Sequence, residues 1–128
     1  MRVFFTILSL VYISGIFFWA DSPMVSDLGT FNPYSLLHIP LYAILTFLLV
    51  FSVSALKSHR IDQRGMLKFL FPGLTALVVA IADEIHQSFI PCRDASIIDV
   101  FLDFVGIILM LLLIHQIYKN KYRISLQL

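Results

Sequence analysis

Apolar residues fall into four long runs separated by short polar segments: about Val3–Ala20, Ser35–Leu56, Leu67–Phe89 and Ile97–Tyr118. Each run holds roughly 20 residues, and a helix rising about 1.5 Å per residue then spans a bilayer core of about 30 Å. Backbone in lipid must satisfy its own hydrogen bonds, so helix is the expected form of all four. The pattern predicts an all-α integral membrane bundle of four transmembrane helices. The whole chain, residues 1–128, reads as one domain, without an internal repeat, low-complexity tract or linker.

Composition agrees with this reading. Hydrophobic residues make up 59% of the chain and charged residues 13%, whereas soluble domains carry about 25% charge. The net charge of +1 gives no basic field, so no nucleic-acid partner is expected. The single cysteine, Cys92, excludes an intrachain disulfide and a cysteine-cluster metal site. The first span begins after Arg2 like a signal peptide. Its apolar run is long, however, and Phe18 stands where cleavage before Asp21 would want a small residue, so a retained helix is expected. Trp19 suits a membrane interface.

Charge sets an expected orientation. Lys57, Arg60, Arg64 and Lys68 lie between the second and third spans, and Lys119, Lys121 and Arg123 follow the fourth. The segment Asp21–Tyr34 holds no Lys or Arg, and the short segment after Phe89 holds only Arg93. The positive-inside rule puts both termini and the middle loop in the cytoplasm, and those two segments outside.

This orientation brings the unusual residues together. Asp83, Glu84, His86 and Gln87 lie at the outer end of the third span, with Pro91 expected to stop that helix. Ser96, Asp99 and Asp103 lie in the outer turns of the fourth, and His38 and Tyr42 at the outer end of the second. At about 100° per residue, the four polar positions of the third span cover an arc of about 160°, and Ser96, Asp99, Asp103 and Gly106 form a stripe about 80° wide. A charged group at a helix centre costs about 2.5–3.5 kcal/mol on insertion scales, so these groups are expected to face each other or a wet cavity. Arg93 is the natural counter-charge.

Two kinds of role remain open. Asp99, three residues after Ser96, also suits a capping box, and Asp103 an interhelical hydrogen bond. As a functional site, Asp83, Glu84 and His86 are the candidate catalytic acids and bases. His38, Tyr42, Gln87, Arg93, Ser96, Asp99 and Asp103 are the candidate binding cluster. Asp83, His86 and Asp99 are candidate ligands for a divalent metal, either Zn²⁺ or a harder cation.

The order Asp83-Glu84-Ile85-His86-Gln87-Ser88-Phe89-Ile90-Pro91-Cys92-Arg93, followed by Ser96, Asp99-Val100 and Asp103-Phe104-Val105-Gly106, resembles the VanZ-like membrane protein family, with His38 and Tyr42 as the upstream pair. The resemblance runs from about Ser35 to Leu113. It departs from the family pattern at Cys92, Asp103 and Ser35, where glycine, asparagine and lysine are usual, which makes this site more acidic. The resemblance implies a bacterial cytoplasmic (cell) membrane setting and a link to glycopeptide (teicoplanin) susceptibility, an antibiotic-resistance role. It supplies no reaction. The expected function is a cell-envelope protein whose outward polar site binds or acts on a lipid-linked or cell-surface molecule. The expected partners are membrane lipid and a lipid-linked envelope precursor. The alternative is a non-enzymatic scaffold or small permeation module, whose polar cluster only fixes helix packing.

Overall fold

The computed structural model describes residues 1–20, 33–53, 63–91 and 95–125, and every regular element among them is helical. Helix α1 spans Arg2–Ala20. A 3₁₀ turn, Pro33–Leu37, leads into α2, His38–Val53. Helix α3 spans Gln63–Gln87 and α4 spans Ile97–Ser125. Four stretches are long and apolar enough to cross a membrane: Arg2–Ala20, Ser35–Val53, Phe69–Gln87 and Ile97–Asn120.

The boundaries differ from the apolar runs for local reasons. The second run enters its helix through the 3₁₀ turn, so that Pro40 falls in the first turn of α2, where a missing N–H is tolerated. Helix α3 ends at Gln87, ahead of Pro91. Its last turn tightens instead, with Phe89 N–H donating to His86 O and Ile90 N–H to Gln87 O, both at 3.0 Å. Pro72 sits inside α3 with its side chain fully buried within the bundle.

Ring contacts show the helix directions. Phe5 of α1 meets Phe51 of α2 at 5.3 Å, so the start of one packs on the end of the other. Phe69 of α3 meets His115 and Tyr118 of α4 in the same antiparallel sense. Phe17 near the end of α1 meets His86 near the end of α3 at 5.4 Å, so these two run parallel. The result is an up-down-up-down bundle. Helix α2 packs on all three others and α3 does likewise, while α1 and α4 lie apart.

The bundle is apolar outside and partly polar inside. Phe4, Val11, Phe71, Val78, Phe101 and Leu112 are exposed, while Asp83, Glu84, Gln87 and Asp103 are buried. Water would penalise such a surface, and a hydrocarbon solvent would not. The apolar core is formed by Ile16, Tyr42, Leu45, Leu49, Ala76, Ala80 and Ile107. Ala76 and Ala80 let α3 approach closely, as small residues do between membrane helices. Tyr12 Oη donates to the Leu41 carbonyl at 3.1 Å and ties α1 to α2. Hydroxyls within the helices bond back to their own chain, as Thr46 Oγ1 does to Tyr42 O at 2.7 Å.

Gly106 fixes the closest approach. A Cβ there would collide with the backbone carbonyl of Ile39, so α4 touches α2 main chain to main chain. This contact lies one residue beyond His38 and three beyond Asp103, and it sets the spacing of the polar end.

Candidate functional site

The polar residues gather where α1 and α3 end and α2 and α4 begin. His38, in the first turn of α2, bonds through Nδ1 to Oδ1 of Asp103 on α4 at 2.9 Å. Asp103 is fully buried and the His38 side chain is 12% exposed, so the contact is sheltered. With the carboxylate accepting, Nδ1 carries a proton, and Nε2 is the ring nitrogen left for another partner. The Tyr42 ring lies nearly parallel to the His38 ring, at 6.4 Å and 10°. Its hydroxyl is buried and has no hydrogen-bond partner.

Glu84 binds the start of α4. Its Oε2 accepts the backbone N–H of Ser96 at 2.8 Å, while Ser96 Oγ accepts the N–H of Ile98 at 3.2 Å. Ser96 is therefore the N-cap of α4, but the acid that takes its N–H comes from α3. In a local capping box Asp99 would fill that place. Here Glu84 fills it, and Asp99 keeps a buried Oδ1 without a partner. Glu84 Oε1 and Asp103 Oδ2 are also buried without hydrogen-bond partners. Leaving such groups unpaired costs about 1–3 kcal/mol each, more when charged, so a site with three calls for an explanation.

The other sequence candidates turn elsewhere. Gln87 Nε2 donates to Asp83 Oδ2 at 3.0 Å, one turn apart on α3, and both side chains are buried. His86 lies on the α1 side of α3, edge-on to Phe17. Arg93, together with Cys92 and Asp94, lies outside the described residues. Glu84 joins His38 and Asp99, and Asp83 lies within electrostatic reach of Tyr42 and Asp103. Asp83 and His86 occupy neighbouring faces of α3.

Metal-ligand geometry selects a different trio from the one expected. One ring nitrogen of His38, one carboxylate oxygen of Glu84 and one of Asp99 lie within 4.8 Å of one another, and they form the one such group among the described residues. Asp99 was foreseen as a ligand, whereas His38 and Glu84 stand where Asp83 and His86 were expected. The residues missed by sequence reasoning are Phe17, which covers His86, and Ile39, whose carbonyl meets Gly106. Both are ordinary apolar residues that carry no chemical signal.

A shallow open groove of about 290 Å³ runs between α3 and α4 and reaches Glu84. Ile81, Ile85, Ile97 and Val100 make its walls apolar, and Glu84 and Ser96 supply its polar end. Ile81, Ile85 and Ile97 are exposed on the outer face of the bundle, so the groove opens sideways. Compared with protein-family models, curated proteins and solved structures, the chain matches none.

Proposed function

We propose that this chain is a multi-pass protein of a bacterial cytoplasmic membrane that binds an amphiphile, a lipid-linked or cell-surface molecule, at the outward end of its bundle. The observation that carries this reading is the position of Glu84. One of its oxygens is fixed by Ser96 N–H, the other is buried without a partner, and the residue stands where an apolar lateral groove ends. A lipid tail suits Ile81, Ile85, Ile97 and Val100. The hydroxyl or amine donors of a sugar or peptide headgroup suit the free Glu84 oxygen. Arg93, three residues before Ser96 in sequence, would hold a phosphate or carboxylate through paired hydrogen bonds. Should the bound molecule react, Glu84 or Asp83 is the candidate base, and His86, the remaining acid–base candidate, faces α1.

The run from Asp83 to Arg93 and its resemblance to the VanZ-like pattern support an envelope setting, with teicoplanin susceptibility as the phenotype to read. The test compares empty vector, the wild-type chain and Glu84→Gln in a susceptible Gram-positive host, at matched membrane abundance, against teicoplanin and vancomycin. Protection against teicoplanin by the wild type alone supports a role for the site. Equal protection by both proteins reduces the cluster to packing. In parallel, native mass spectrometry of the purified chain with lipid-linked cell-wall precursor reads binding directly, and absence of a complex rejects the amphiphile reading.

A further inference from the structure

We propose that His38, Glu84 and Asp99 bind a divalent transition-metal cation, with Asp103 positioning His38 as a ligand. This goes beyond the amphiphile reading and does not depend on it.

The first argument is donor chemistry. One imidazole nitrogen and two carboxylate oxygens, each from a different helix, lie within 4.8 Å of one another. An imidazole with two carboxylates suits Zn²⁺ or Mn²⁺ better than Mg²⁺ or Ca²⁺, which prefer oxygen alone. Ligands about 2.1 Å from a tetrahedral Zn²⁺ stand about 3.4 Å apart, so this set has to close by no more than about 1.4 Å.

The second argument is independent of proximity. Glu84 is 5% exposed, and its Oε1 has no hydrogen-bond partner. Asp99 Oδ1 is likewise buried and unpartnered. Both oxygens are idle as hydrogen-bond acceptors but available as ligands. The Tyr42 ring lies parallel to that of His38, and its hydroxyl is also buried and unpartnered.

The third argument is orientation. Metal-binding histidines almost always give their other ring N–H to a carboxylate or carbonyl, which fixes the tautomer. His38 does this with Asp103. Glu84 is held in the same manner by Ser96 N–H on its other oxygen. Two of the three ligands are thus fixed by outer partners before any cation arrives. Two carboxylates and a neutral imidazole neutralise a dication, an easier burden for the bundle interior than two bare carboxylates.

The test uses the full chain, purified in detergent without chelators and stripped of metal. Zn²⁺ binding is followed by calorimetry, and Co²⁺ binding by visible absorption with displacement by Zn²⁺. One equivalent per chain is expected, together with a rise in melting temperature. Glu84→Gln and Asp99→Asn, which keep side-chain shape, should each weaken binding at least tenfold. Asp103→Asn should weaken it by about 10–100-fold without removing the visible Co²⁺ bands. His115→Ala, at the far end of α4, should bind as the wild type does. Failure of the wild type to take up either ion overturns the proposal, and so does unchanged affinity in both Glu84→Gln and Asp99→Asn. These outcomes are read without any lipid, so they are separate from the amphiphile test.

Discussion

Glu84, near the end of α3, accepts the backbone N–H of Ser96, the residue that caps α4, at 2.8 Å. One side chain therefore holds the corner between two helices and also presents its second oxygen to the site. The two roles can be separated by substitution. Glu84→Gln keeps an acceptor for the Ser96 N–H and should melt close to the wild type. Glu84→Ala strands that N–H and should lose about 1–3 kcal/mol. Thermal unfolding in detergent checks both, and equal loss in the two variants would show that charge, not the hydrogen bond, holds the corner.

His38 and Asp103 form the second cross-helix bond of the polar end, and a double-mutant cycle isolates it. A hydrogen bond to a charged group is worth about 1.5–3 kcal/mol. Asp103→Leu alone should destabilise strongly, because it leaves the His38 N–H without its acceptor. Adding His38→Leu should recover part of that loss. Strict additivity of the two substitutions would mean that they do not interact.

The glycines give a contrast within one protein. Gly106→Ala drives a methyl group into the Ile39 carbonyl, and backbone cannot yield as a flexible side chain can. The expected loss is at least the usual overpacking cost of about 1–3 kcal/mol, together with a weaker His38–Asp103 contact. Gly15→Ala meets no atom within 4 Å and should be neutral, or stabilising by about 0.5–1 kcal/mol through helix propensity. Melting temperatures of the two variants decide the matter, and similar values would remove the close α2–α4 approach from the account.

Orientation is tested with cysteines placed in a Cys92→Ala background. Ser26→Cys, in the segment without Lys or Arg, should react with an impermeant maleimide on intact cells. Ser58→Cys, in the basic segment, should react only after permeabilisation. The reverse pattern would turn the polar end toward the cytoplasm and remove the outward-facing part of the proposal.

The sequence pattern located the four apolar helices and the end of the bundle where the polar residues gather, because both depend only on run length and rise per residue. It did not reveal partners. Periodicity places Glu84 and Asp99 on polar faces, yet it cannot show that Glu84 reaches over to the Ser96 N–H and leaves Asp99 unpaired. It also treated His86 as a neighbour of Glu84. Two residues apart on a helix is about 200°, enough to send one side chain toward α4 and the other toward Phe17 on α1. The Gly106–Ile39 approach was half readable. Glycine announces a close contact, but nothing in sequence says which backbone supplies it.

The His38–Asp103 bond joins residues 65 positions apart, on the second and the last helix. A ribosome delivers them in that order. Until Asp103 is made, the imidazole at the start of α2 has no carboxylate from α4 to meet. The polar end is therefore a late event in the assembly of this bundle, a latch that closes only when the fourth helix joins. A chain interrupted before Ile97 would leave the His38 imidazole without its Asp103 carboxylate.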